Sequence, residues 1–318
     1  YYWFYHSDVN KAIGYFDKYA AVTDPKPSDE YDRISFLYAA KKYQDCITQS
    51  QQKISALGAK ADPRYYKLIA YCYSDQGDSS NAKTYLEQYF SKQKPDGFVA
   101  QDYSFLAEVL NKFPGNDSLV SLNYQKAFDT DTAQINKEKI AEEAAAAAKS
   151  GKYKTGVAKW EGVLYHLNKN PGQAELYRWG IANYQAGNYP LSDSIFCTVY
   201  ESKYANEIYG YLWCARSKRA QDDSANTGGL AVDAYLKLAD EGKALDSMKY
   251  KNQIIEAYFY LASYNNDIKK DKNAAISYLQ KVVDVDPTNT QAKQFIEILS
   301  KPPAKQPAQK PKAKSGGK

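Results

Sequence analysis

Residues 66–95 read YKLIAYCYSDQGDSSNAKTYLEQYFSKQKP. Within them Tyr66, Ile69, Ala70 and Tyr73 recur three and four residues apart, the spacing that puts side chains on one face of a helix. Ala82, Leu86 and Tyr89 repeat the pattern on a second helix, which Pro95 closes. Between them Asp75-Gln76-Gly77-Asp78 reads as a tight turn, with Gly77 at the position where a positive φ meets no Cβ. Ala70 and Ala82 are small where two helices must touch. The stretch therefore predicts two helices folded back on each other.

The same register recurs along the chain. Tyr103, Leu106, Ala107 and Leu110 lead across Pro114-Gly115 to Val120, Tyr124 and Ala127. Ile140, Ala144 and Ala147 lead through Gly151 to Tyr153, Gly156, Trp160 and Val163. Leu176, Trp179 and Gly180 lead through Gly187 to Tyr189, Ser192, Phe196 and Val199, with Pro190 just inside the second helix, where a missing backbone donor costs nothing. Tyr211, Cys214 and Ala215 pair with Ala231, Tyr235 and Leu238 across a longer loop, Asp222 to Gly229. Tyr258, Leu261 and Ala262 pair with Ala275, Leu279, Val282 and Pro287. Upstream, Ile34, Leu37, Tyr43, Cys46 and Ser50 form a shortened unit, and Ala12, Phe16 and Tyr19 form a helix whose partner is only the stub Tyr1 to His6. A chain that opens inside a repeat is expected to continue a longer precursor.

These residues resemble the tetratricopeptide pattern, in which large and small residues on a first helix meet an Ala, an aromatic and another small residue on a second. The resemblance implies an all-α fold, a right-handed α-solenoid of antiparallel helix pairs. It spans residues 1–300: a partial repeat at 1–25, about seven repeats, and a single closing helix at 288–300. HEAT repeats would need units of roughly 40 to 47 residues, which only the interval from Tyr211 to Tyr258 approaches. The resemblance further implies a non-catalytic scaffold that binds a partner protein or peptide along its concave face.

Composition agrees with a folded array. Hydrophobic residues make up 44% and charged residues 25%, enough apolar material for a continuous core. The 31 Tyr against 11 Phe and 4 Trp suit crowded helix seams and half-exposed grooves, since Tyr joins a flat apolar body to a hydroxyl that wants a partner. Residues 301–318 hold six Lys and no acid, so removing them turns the net charge of +5 into −1. The folded part is therefore not expected to bind nucleic acid. The tail, with Pro302, Pro303, Pro307 and Pro311 among its lysines, is expected to be disordered and able to contact anionic surfaces. No run of about eighteen apolar residues is present, so no transmembrane segment is expected.

The search for chemistry finds neither a P-loop nor a dinucleotide fingerprint, and neither Gly-x-Ser-x-Gly nor His-Glu-x-x-His. His6 and His166 stand apart, without metal-ligand spacing. No catalytic residue, metal site or cofactor is expected. Glu142-Glu143 and Asp222-Asp223 read as solvated surface carboxylates, and the glycines read as hairpin-turn residues. Cys46 with Cys72, and Cys197 with Cys214, fall on successive helices without a Cys-x-x-Cys. Buried thiols acting as small hydrophobes are the expectation, with disulfides left open, since those need Cα atoms within about 7 Å. A bonded pair would argue for an oxidising compartment.

Helix A residues line a solenoid's concave face, and between residues 177 and 266 they include Tyr177, Arg178, Tyr184, Tyr209, Leu212, Arg216, Arg219, Phe259 and Asn266. Three of the chain's five Arg fall here, and Arg with Tyr is the pairing enriched at binding hot spots. The Lys and Asn clamp by which some tetratricopeptide proteins grip a C-terminal carboxylate is not reproduced at Lys67, Tyr71, Ser104, Phe105, Ala141 and Ala145. A glycan-binding module of the bacterial cell envelope is the alternative reading, from the aromatic surplus. The Tyr-rich, Lys-over-Arg repeat chain resembles exported bacterial envelope proteins, a resemblance that implies a periplasmic or otherwise extracytoplasmic home.

Overall fold

The computed structural model describes residues 8–24, 26 and 28–301; the stub Tyr1 to His6 and the Lys/Pro-rich segment beyond residue 301 lie outside them. The described residues hold helices and no strand, and each helix packs mainly on its neighbours in the chain. The fold is all-α. Two compact units divide it, Tyr1–Leu167 and Asn168–Lys318. No helix among the described residues is long and apolar enough to cross a membrane.

The first unit runs through α1 (Val9–Val22), α2 (Asp29–Ala39), α3 (Tyr43–Leu57), α4 (Arg64–Asp75), α5 (Ser79–Lys92), α6 (Ala100–Leu110), α7 (Asp117–Thr130), α8 (Gln134–Ser150) and α9 (Lys154–Leu167). Its core is a chain of clusters rather than one centre, because a repeat helix is apolar on two sides. Helix α4 shows how: Tyr65, Leu68, Ile69 and Cys72 pack with Ile34, Cys46 and Ile47 of the preceding hairpin. Its other side, Tyr66 and Ala70, packs with Ala82, Leu86 and Tyr89 of α5 and with Phe105 and Val109 of α6. Ala70 and Ala82 are both fully buried, so the backbones of α4 and α5 approach as the spacing predicted. A third cluster joins Ala107 and Val120 to Ala144 and Trp160, whose indole donates to Ser121 Oγ at 3.0 Å.

Five of the turns between helices share one device. At Lys41, Gly77, Lys152, Gly187 and Lys270 the backbone turns to positive φ, between 56° and 81°. At the first four, the amide of the next residue reaches back five residues to a carbonyl at 2.8 to 2.9 Å, satisfying a helix end. The expectation that glycines mark the hairpin turns holds at Gly77, Gly115, Gly187 and Gly229, all at positive φ, and is corrected elsewhere: Lys41, Lys152 and Lys270 take that position in three turns, and Gly151 has an ordinary helical φ of −76° while Lys152 bears the left-handed strain.

The second unit comprises α10 (Gln173–Gln185), α11 (Tyr189–Asp193), α12 (Ile208–Gln221), α13 (Val232–Asp246), α14 (Lys251–Asp267), α15 (Lys272–Val285) and α16 (Thr290–Ser300). Beyond Asp193, α11 widens into a π-helical stretch, Ser194–Tyr200, and ends in Glu201–Lys203. The wider turn lets Ile195, Phe196 and Tyr200 all be buried. Gly180 and Gly210 are helix-interior residues, each under an aromatic ring: a Cβ would come 2.5 Å from Phe196 and 2.7 Å from Tyr200. Cys197 and Cys214 are joined in a disulfide, their Cα atoms 4.8 Å apart, which ties α11 to α12. Buried free thiols, the expectation for all four cysteines, hold only for Cys46 and Cys72.

Candidate functional site

In the second unit one face is built by α10, α12, α14 and α16. Helical spacing puts Trp213, Arg216 and Arg219 on one stripe of α12 and Glu256, Phe259 and Ser263 on the facing stripe of α14. Three hollows lie along this face. The first, about 490 Å3, is bounded by Tyr184, Trp213, Arg216, Arg219, Tyr235 and Glu256. The second, about 440 Å3, shares Arg219 and Glu256 and continues past Phe259, Tyr260 and Tyr264 to Phe295. The third, about 350 Å3 and mostly apolar, is lined by Phe259, Ala262, Asn266, Leu279, Phe295 and Ile298. Shared walls make them one groove.

The two arginines differ in their surroundings. Arg216 binds Glu256 through both ends of its fork, Nε to Oε1 at 2.8 Å and an Nη to Oε2 at 2.6 Å, and its plane lies 4.8 Å over the Trp213 ring. That hydrogen-bonded pairing raises the Arg216 pKa further. Arg219, one turn on, is exposed and sits 5.6 Å over the Tyr260 ring. Among the described residues it has no carboxylate partner. Tyr260 in turn stacks on Tyr235 at 4.2 Å. Burial, with help from Glu256 and against the pull of Arg219, pushes the Tyr235 hydroxyl up to about 12.

The loop after α12 forms the rim. Asp222 accepts backbone hydrogen bonds from Asp223, Gly228 and Leu230 at 2.9, 3.0 and 3.1 Å. Asp223 accepts those of Ala225 and Thr227 at 3.0 and 2.9 Å, and the Thr227 hydroxyl. The reading of Asp222-Asp223 as surface loop carboxylates holds, Asp223 being exposed, and the structure adds a role: loop amides have no helix partners, and these carboxylates supply the acceptors. Nearby, the side chains of Asp193, Cys197 and Cys214 lie within 4.8 Å of one another. Both sulfurs are spent on the disulfide, and Asp193 accepts from Lys218 and Gln221 at 3.2 and 3.0 Å, so those ligand atoms are committed.

Of the residues singled out by sequence, Tyr184, Arg216, Arg219, Phe259 and Asn266 line the groove. Leu212 does not: it is 5% exposed, in the buried stripe of α12 with Ile208 and Ala215. Tyr177 accepts from Trp213 Nε1 at 3.0 Å and so supports the wall from behind. Tyr209 is 44% exposed and meets Tyr177 edge-on at 6.3 Å, and Arg178 pairs with Glu175 at 3.6 Å; neither lines a hollow. Sequence reasoning missed Trp213, Glu256 and Phe295. The first lies three residues from Arg216 and the second three from Phe259, so the helical period already contained both; nothing in the sequence pointed to Phe295.

A model of the tetratricopeptide repeat family matches residues 63–91 and 255–289. The chain is similar to the C-terminal part of a TPR repeat-containing protein from Cytophaga hutchinsonii, at 27% identity over 84% of this chain and 99% of that one, with a TM-score of 0.43. It is also similar to the TPR2AB domain of yeast Sti1 in its complex with pHSP90 (15% identity, 91% and 99% covered, TM-score 0.34). A tetratricopeptide repeat protein from Parabacteroides merdae is a further likeness (13%, 74% and 98%, TM-score 0.31). No curated protein matches the chain.

Proposed function

We propose that this chain, which carries a tetratricopeptide repeat in each of its two units, is a non-catalytic scaffold whose second unit holds a segment of a partner protein in the groove between Tyr184 and Ile298. Repeats of this kind serve protein–protein interaction, and stacked hairpins present extended surfaces suited to it. The observation that carries the reading is the groove itself: an exposed arginine and a second, neutralised one set among Trp213, Tyr260, Phe259 and Phe295. Aromatic and arginine side chains dominate binding energy because they join rigid apolar area to planar donors.

The experiment is affinity capture from a native lysate with the intact chain and with R219E and R216E/R219E as baits. At least one protein captured by the parent is expected to be lost by both variants, with R219E melting as the parent does; the double variant, which sets a carboxylate against Glu256, is expected to melt lower. Recovery of every partner by the variants would sink the groove reading. Support for an oxidising, extracytoplasmic home, such as the bacterial envelope, comes from the Cys197–Cys214 disulfide, which the thiol pools of the cytosol work against.

A further inference from the structure

We infer that the groove selects a polypeptide segment with an internal aspartate or glutamate, bound by Arg219, beside a bulky apolar side chain lodged against Phe259 and Phe295. This rests on the reading of the groove as a polypeptide-binding surface and adds what the polypeptide must contain.

The lining carries more acid than base, but the acids are already served. Asp222 and Asp223 accept from the loop, as described above. Glu256 is held by Arg216, and Asp267 accepts from Ser263 Oγ at 2.8 Å and from the Asn266 side-chain amide at 2.7 Å. Arg219 is the reverse case: exposed, over an aromatic face, and without a carboxylate among the described residues. Part of the fork faces the Tyr235 hydroxyl, and a guanidinium has five N–H donors, so on this exposed side chain others are left to meet a carboxylate. Of the carboxylates nearby, Glu256 is neutralised by Arg216, which lowers the repulsion an incoming acid meets.

Position argues for an internal acid rather than a chain end. Arg219 walls both the first and the second hollow, so the groove continues from it towards Tyr184 on one side and Phe295 on the other. A segment ending at Arg219 would leave one side unfilled. The apolar neighbour follows from the third hollow, which shares Phe259 and Phe295 with the second. Phe295 and Ile298 are 41% and 60% exposed there, apolar area that a partner side chain would cover.

The test is selection from a random-peptide display library on the intact chain. Enriched peptides are expected to combine Asp or Glu with Phe, Trp, Leu or Ile. On R219Q the acidic preference is expected to vanish while the apolar one stays; on F295A/I298S the apolar preference vanishes and the acidic one stays. A synthetic consensus peptide, acetylated and amidated at its ends, is expected to bind R219Q at least about tenfold more weakly than the parent by calorimetry, with R219K between them. Circular dichroism melts that match the parent exclude misfolding. Absence of any enriched peptide would overturn the polypeptide-binding reading together with this one. An acidic preference that survives R219Q, enrichment of Lys or Arg in its place, or binding only by free C-terminal acids would overturn this proposal and leave the broader reading standing.

Discussion

Asp78, Asp271 and Asn289 each accept a hydrogen bond from the amide three residues on, at 3.0, 2.9 and 2.9 Å, and so set the starts of α5, α15 and α16. For Asp78 the backbone amide of Asn81, then its side-chain amide at 2.7 Å, holds the carboxyl below its ordinary value of 3.8. A depressed folded pKa means that the cap's contribution is complete above 3.8 and is lost as pH falls through the lower folded value. Asn caps helices about as well as Asp but does not titrate. Thermal melts should therefore give D78N a melting temperature close to the parent's at neutral pH and above it in strong acid. A constant difference across the range would remove Asp78 from the acid response.

At the scale of elements, the start of α6 is bound to its neighbours through one fully buried carboxylate. Asp102 accepts from Lys67 Nζ of α4 at 2.7 Å, from the Tyr89 hydroxyl of α5 at 2.8 Å and from the Val99 amide at 3.0 Å. Three helices thus share one charge, and removing it strands a lysine that is only 16% exposed together with a buried phenol. D102A is expected to cost about 3–5 kcal/mol by denaturant unfolding, the range for breaking a buried pair. K67M/D102L, which leaves no lone charge, should recover much of that loss. Equal stability of D102A and the parent would show that the triad contributes nothing. The registers of α4 and α5 were legible from local spacing, but this tie was not, because Lys67 and Asp102 lie 35 residues apart in the sequence.

For the whole molecule, the disulfide links compartment to stability. It closes a 17-residue separation and joins α11 to α12, the helix that carries both groove arginines. Loop-closure entropy for a link of this length amounts to about 3 kcal/mol. Reducing agent should accordingly lower the denaturant midpoint of the parent and of C46S, and leave C197S/C214S unmoved. In cells quenched with acid and alkylated, Cys46 and Cys72 should be modified while Cys197 and Cys214 are not. Alkylation of all four would place the working protein in a reducing compartment and remove the extracytoplasmic proposal.

The helices, their pairing into hairpins and the left-handed turn at Gly77 were determined by the sequence alone, because each needs only contacts within a repeat of roughly 34 residues. Arg216 and Arg219 were legible for the same reason, since one helical period sets them on a common face. What tertiary structure decided was which of these groups remains available. Glu256, 40 residues from Arg216, neutralises one arginine and leaves the other open. The backbone of the loop after α12 also engages two surface carboxylates, a role that spacing alone did not assign. Of two cysteine pairs alike in sequence, only one is bonded. Such outcomes depend on distances between repeats, which the helical period sets for a face but not for the partner that meets it.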